Sequence, residues 1–457
     1  MNINTTRRSF VGATATVGAA AFLSACAGSE QSADTATSAE ETTEETAEAT
    51  GDAITGSYTT HIQGYDWGPG VDKVTITLDA PIDAITADDL SIVESKQMTD
   101  WAAEGFPVIE GEVPRTIKSA TLSSDGTVIE VELECAPNDG DSPLLFTMAT
   151  QFNTWCDPYE LIITKAEGSS IPELAIASDF DVSTSENSAE EAGWKLDSYD
   201  TSDGVTLRYA YFDPEEESNR LIVWLHGMGE GGTDHTDPWI TVLGNKVVAL
   251  SEAGFQDALG GAHVVAPQSP TFWMDSDGKG GNFNDGAIKA DTNSFYTKAL
   301  EEFIDTYAEK VGADKICVCG CSNGGYMTMV LSMSRPDAYA CVVPICEAVP
   351  DDTISDEQIA SLVDLPMYFV YSEDDTTVDP TLHEIPTMER LKAAGKTDET
   401  LHVSTTEHVL DTTGEFTDEN GDPYMYNGHW SWIYFDNDEC ECECGLKVSD
   451  FMAEHLK

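Results

Sequence analysis

Between residues 220 and 371 the chain carries five short, nearly continuous apolar runs, at 220–225, 262–266, 315–321, 340–345 and 366–371. They are rich in β-branched residues and lack the polar alternation of a half-solvated strand, which suits parallel strands covered on both faces. Parallel neighbours need long crossovers, and the stretches between the runs are long enough to supply them as helices. In segment 293–312, Phe295, Leu300, Phe303, Ile304 and Tyr307 fall on one helical stripe, with Glu301, Glu302, Asp305 and Glu309 outward. The pattern predicts a doubly wound α/β domain with a mostly parallel sheet over residues 190–457.

Upstream the period changes to two. The runs 74–78, 120–122, 128–133 and 161–164 alternate, and Gly, Pro, Asp and Asn sit between them, with Asp125-Gly126 as a turn. Residues 56–185 are expected to form a small antiparallel β-sandwich, and no nucleophile-like grouping occurs there.

Charge narrows the partners. The sequence has 22 Lys+Arg against 83 Asp+Glu, a formal net charge of -61, so it repels phosphate backbones and anionic lipid. Nucleic acid is excluded as a partner, and a strongly hydrated surface on an exported protein is the simplest use of the charge. Export is also what residues 1–25 suggest: Arg7-Arg8-Ser9-Phe10 precedes a small, apolar run to Leu23 that is too short to span a membrane. The paired arginines resemble a twin-arginine signal, and Leu23-Ser24-Ala25-Cys26 resembles the lipobox of bacterial lipoproteins, which implies acylation of Cys26. Residues 26–55, rich in Ser, Thr, Ala and Glu, read as a flexible acidic tether. The location expected is extracytoplasmic, at the cell surface, with the lipid anchor as the one membrane contact.

The chemistry centres on Gly320-Cys321-Ser322-Asn323-Gly324, which lies between an apolar strand and a helical run. A Ser flanked by glycines in that setting is the nucleophile elbow of α/β-hydrolases: the turn tolerates little bulk and lifts Oγ above the sheet. Upstream, the strand ending at Leu225 runs into His226-Gly227-Met228-Gly229-Glu230-Gly231-Gly232. A Gly-rich loop off a strand can aim N–H groups at an oxyanion, and we assign the two donors to Met228 and Asn323. His226 precedes the nucleophile and is read as a brace for its loop. The fold demands an acid and then a histidine after the Ser. Asp375, three residues before Val378 at the end of a strand, is the acid, with Asp374 as the alternative. Of the five later histidines, His383, His402 and His455 sit in regular segments and read as structural. His429, in a loop directly after Gly428, is the expected base, with His408 in reserve.

Residues 199–457 resemble the branch of the α/β-hydrolase superfamily that holds poly(3-hydroxybutyrate) depolymerase-like and feruloyl-esterase-like secreted enzymes. The stretch Tyr65-Asp66-Trp67-Gly68-Pro69-Gly70-Val71 before a strand is similar to the immunoglobulin-like N-terminal domain of some bacterial esterases. These likenesses imply a serine esterase acting on a small-molecule or polymer-linked ester, through a Ser-His-Asp triad and an acyl-enzyme, with no cofactor. A serine peptidase of the prolyl-oligopeptidase type is the first alternative, though no anchor for a substrate amine is visible. An inactive polymer-binding lipoprotein is the second.

Two tryptophans, Trp273 and Trp430, are candidates to line the acyl or alcohol pocket, with core packing as their other use. Apart from Cys26 there are ten cysteines. Cys317, Cys319 and Cys321 share one face of a buried strand and behave as small hydrophobes. One disulfide is expected, either within Cys440-Glu441-Cys442-Glu443-Cys444 or between Cys135 and Cys156. No metal is assigned, since C-x-C-x-C departs from the usual C-x-x-C spacing.

Overall fold

A computed structural model describes residues 53–137, 142–177, 181–234, 236–281 and 288–457. The twin-arginine pair, Cys26 and residues 26–52 of the tether therefore lie outside the described residues, whereas Ile54 and Thr55, expected in the tether, already belong to the first strand, because they pair with the chain at Leu174 and Ala175.

The N-terminal strands form two main sheets. The larger runs in the order Leu174–Ile176, Ile54–Tyr65, Gly68–Leu78, Val128–Leu133, Ile117–Leu122, with Glu186–Asn187 also paired to Ile54–Tyr65. The smaller holds Val108–Arg115, Leu90–Thr99 and Tyr159–Lys165. Alternation decides what faces inward: Val74, Ile76 and Leu78 from one sheet meet Ile92, Leu161 and Ile163 from the other in a single core. The Leu161 N–H donates to the Tyr58 hydroxyl oxygen across that core at 2.8 Å. Pairing is antiparallel except at two short contacts of Ile54–Tyr65, with Leu174–Ile176 and Glu186–Asn187, which are parallel. Period-two patterning reports faces and not strand direction, so it could not distinguish these. One charged group is wholly inside: Glu94 holds Lys96 Nζ at 2.6 Å and Arg115 Nη1 at 2.7 Å. Arg115 Nη2 also donates to the Val71 and Glu134 carbonyls, so the three charges are paired and hydrogen-bonded, as burial demands.

The second half is one eight-stranded sheet: β1 (Lys195–Asp200), β2 (Thr206–Phe212), β3 (Arg220–Leu225), β4 (His263–Gln268), β5 (Lys315–Cys321), β6 (Cys341–Ile345), β7 (Met367–Ser372) and β8 (Leu401–Thr406), in the order β1-β2-β4-β3-β5-β6-β7-β8. Only β2 runs against the others. The five apolar runs are β3 to β7, shifted by at most two residues at an end. Alternate side chains feed opposite faces: Leu221, Val223 and Leu225 pack with helix Thr297–Val311, whereas Ile222 and Trp224 join the core shared with the N-terminal sheets. Phe295 departs from the predicted stripe. It precedes that helix and is 45% exposed, because the helix begins at Thr297.

Because one core runs through both halves, the N-terminal sheets are seated on the α/β sheet. Polar contacts fix the seat: Lys246 Nζ lies 3.0 Å from Asp66 Oδ1 and donates to Asn437 Oδ1 at 2.8 Å. A two-stranded hairpin, Leu144–Phe146 with Asn153–Trp155, extends further across the α/β half. Its Asn153 N–H donates to the Gly229 carbonyl at 2.8 Å, and Trp155 Nε1 donates to Asp237 at 2.7 Å.

Candidate active site

Strand β5 ends at Cys321, and helix Asn323–Ser334 begins two residues later. Ser322 alone makes the turn, at φ 55° and ψ -115°, a conformation costly for a residue with a Cβ. The neighbouring glycines permit it: a Cβ on Gly324 would lie 1.8 Å from the Leu225 carbonyl oxygen, where the helix start crosses the end of β3. Asn323 is the first helical residue, so its N–H has no partner within the helix. Its side-chain oxygen accepts from the Trp273 N–H at 2.7 Å.

Three side chains meet at the carboxyl ends of the strands. His429 Nε2 is 3.0 Å from Ser322 Oγ, and His429 Nδ1 is 2.7 Å from Asp375 Oδ2. The other Asp375 oxygen accepts from the Thr377 and Val378 N–H groups at 2.8 and 2.9 Å, so its backbone turn fixes the carboxylate. A carboxylate at Nδ1 holds the ring proton there, and the Nε2 lone pair is left to accept the Ser322 hydroxyl. Asn427 caps the turn 428–430 by accepting the His429 backbone N–H at 2.9 Å, and Trp432 lies edge-on to the imidazole.

The reserve residues find each other instead. Asp374 Oδ2 is 2.7 Å from His408 Nδ1, while its Oδ1 accepts the Ser372 hydroxyl. This explains Gly428, since a Cβ there would lie 2.2 Å from Asp374 Oδ1. Adjacent aspartates thus serve different histidines, one buried with Ser322 and one at the half-exposed rim. Contact with Asp374 raises the His408 imidazole above its ordinary value.

His226 braces its loop. It is buried, its Nε2 accepts the Ser269 N–H at 2.9 Å, and its Nδ1 donates to the Gly227 carbonyl at 2.5 Å. Burial pushes its pKa down to about 4, so the ring stays neutral. Within the same loop lies buried Glu230, whose carboxyl is pushed up to about 7 by desolvation.

A pocket of about 470 Å³, counting its open mouth, has Ser322, His429, Met228 and Trp430 in its wall. Trp273 does not line it. Its ring is fully buried against His226 and Tyr296, because the chain after β4 turns under the Gly-rich loop. Sequence reasoning missed Trp432, Glu230, Asn245 and Cys321 in this wall, and also Phe146 and Gln151, which arrive on the N-terminal hairpin. Phe152, next to Gln151, stacks on Phe272 with ring centroids 4.4 Å apart and helps hold the hairpin in place. No signal in the sequence tied a hairpin some 170 residues upstream to Ser322. Of the expected disulfides, Cys442–Cys444 is present and no bridge joins Cys135 to Cys156.

Residues 210–414 match a family model described as phospholipase/carboxylesterase; the match takes in Ser322 and Asp375 and ends before His429. No curated protein matches the chain. Among solved structures, a thermostable esterase is similar with a TM-score of 0.60 and 20% identity, over 84% of this chain and 96% of the other. A feruloyl esterase module from Clostridium thermocellum is similar at a TM-score of 0.37 and 14% identity, over 57% of this chain and 87% of that one. The first likeness shows the α/β-hydrolase fold, and the family match over residues 210–414 marks the protein as an esterase-type hydrolase.

Proposed function

We propose that the protein is a serine esterase in which Ser322, His429 and Asp375 form a catalytic triad. The observation that carries this reading is the unbroken chain from Asp375 Oδ2 through His429 to Ser322 Oγ, at 2.7 and 3.0 Å. Ser322 attacks the ester carbonyl as His429 Nε2 takes its proton, and Asp375 stabilises the imidazolium. The N–H groups of Met228 and Asn323 receive the oxyanion. Collapse of the tetrahedral intermediate expels the alcohol with the His429 proton, and water then releases the acid by the same steps in reverse order.

We read the N-terminal sheets as an immunoglobulin-like module, supported by two sheets closing on one core. Residues 1–53 are read as a twin-arginine signal, a lipobox and a tether that hold the enzyme outside the cytoplasm through an acylated Cys26. The reaction is tested with Ser322→Ala, which removes the nucleophile and leaves the backbone turn in place. Turnover of chromogenic esters should vanish while the melting temperature stays near wild type, and a phosphonate probe should label Ser322 in the parent protein. Wild-type turnover in the alanine variant would rule the assignment out.

A further inference from the structure

The reaction proposed above uses nothing from the far edge of the α/β sheet, where His402 lies on β8. The loop 440–447 returns to that edge and brings Cys442 Sγ to 3.9 Å and Cys444 Sγ to 3.7 Å from His402 Nδ1. These three ligand atoms lie within 4.8 Å of one another, the one such group of His, Cys, Asp or Glu among the described residues. In the structure the two sulfurs are joined as a disulfide. A bridge between cysteines only two positions apart constrains the unfolded chain least, so stabilisation is a weak reason for its presence.

Both halves of the cluster are held by contacts that do not involve sulfur. In the loop, the Cys442 N–H donates to the Leu446 carbonyl at 3.1 Å and the Gly445 N–H to the Cys442 carbonyl at 2.8 Å. The Tyr368 hydroxyl donates to the same Leu446 carbonyl at 3.1 Å. The His402 imidazole packs against the rings of Tyr368 and Phe451, at centroid distances of 5.9 and 5.4 Å. In a tetrahedral zinc centre, with Zn–S about 2.3 Å and Zn–N about 2.0 Å, neighbouring sulfur and nitrogen ligands stand about 3.6 Å apart. The two observed separations are close to that value. Cys442 is buried, His402 half-buried and Cys444 exposed, so an ion can enter from solvent and keep one position open.

We propose that the reduced Cys442/Cys444 pair and His402 Nδ1 bind one thiophilic ion of the zinc type, the disulfide being the oxidised, metal-free form of the same site. Two thiolates and an imidazole select soft or borderline ions over magnesium or calcium. Reduction by a phosphine consumes one water: its oxygen ends on phosphorus as phosphine oxide, and its two hydrogens end on the two sulfurs. On binding, each thiol releases its proton to solvent and His402 binds as the neutral ring. The centre is then electrically neutral, with a water as fourth ligand.

The test uses the full chain, stripped with a chelator and equilibrated with Zn²⁺ before and after phosphine treatment under anaerobic conditions. One Zn²⁺ per chain should be retained after reduction, with two protons released, and almost none before it. Co²⁺ in place of zinc should give a thiolate-to-metal charge-transfer band. Cys444→Ser, at an exposed position that leaves the core intact, should lower zinc affinity at least about tenfold and weaken that band, which Cys442→Ser/Cys444→Ser should abolish. Failure of the reduced wild type to take up zinc overturns the proposal. So does equal uptake by the Cys444→Ser or Cys442→Ser/Cys444→Ser chains, which would place the ion on other cysteines. Ester turnover reports that each variant is folded, so the outcome is independent of how the ester is cleaved.

Discussion

At the residue scale the site is decided by which aspartate meets which histidine. Asp374 and Asp375 are neighbours, yet the turn after β7 points one at His408 and the other at His429. His429→Ala and Asp375→Asn should therefore each lower kcat by about four orders of magnitude, with His408→Ala and Asp374→Asn close to wild type. Steady-state kinetics on one short-chain ester decide this, and an inactive His408→Ala beside an active His429→Ala would exchange the two pairs. A second residue-scale effect follows from Glu230. Its carboxyl, raised by burial from its ordinary value of 4.5 to about 7, holds a proton in the folded protein that the unfolded chain has already released in that window. By linkage the stability contributed by this group falls as pH rises between those values. Glu230→Gln keeps the size of the side chain and an acceptor for the Gly227 N–H. The loss of unfolding free energy from pH 5 to 8 should then be smaller in the variant by about 2–3 kcal/mol, read by urea denaturation. Parallel pH profiles for the two proteins would refute it.

At the element scale, β3, β5 and β7 carry the site at their carboxyl ends, and these strands were legible because burial on both faces writes a continuous apolar run. The elbow was legible for a related reason, since close approach of a helix to a strand leaves a glycine signature. The hairpin Leu144–Phe146 with Asn153–Trp155 was not. Its short strands leave no periodic signal, and its place over the pocket depends on the Asn153–Gly229, Trp155–Asp237 and Phe152–Phe272 contacts, all between segments distant in sequence. Phe146 and Gln151 nevertheless stand in the wall beside Ser322. Phe146→Ala should shift the ratio of kcat/KM for bulky-acyl over acetyl esters by about tenfold, with acetyl ester turnover little changed. A ratio that stays constant across the ester series would remove the hairpin from substrate selection.

At the scale of the whole molecule, the charge of -61 and the N-terminal segment bear on where the enzyme works. A body this acidic gains nothing from anionic lipid, so retention would rest on acyl chains at Cys26. Cys26→Ala should move the protein from the membrane fraction to the medium, or leave an uncleaved precursor, without changing the turnover of the soluble enzyme. Arg7→Lys with Arg8→Lys should separately block export by the twin-arginine route, and fractionation with N-terminal sequencing reads both. Cytoplasmic wild-type protein with residues 1–25 intact would end both readings. The sequence by itself determined the α/β architecture, the elbow at Ser322 and the short lists of acids and bases, because periodicity and tight turns are local and are written in neighbouring residues. Only the tertiary structure decided that Asp375 and not Asp374 faces His429, that Trp273 is core, that a hairpin from the first half walls the pocket and that His402 meets Cys442 and Cys444. Each of those is a contact between segments far apart in the chain, fixed by how strands are ordered and loops cross, and no local pattern encodes it.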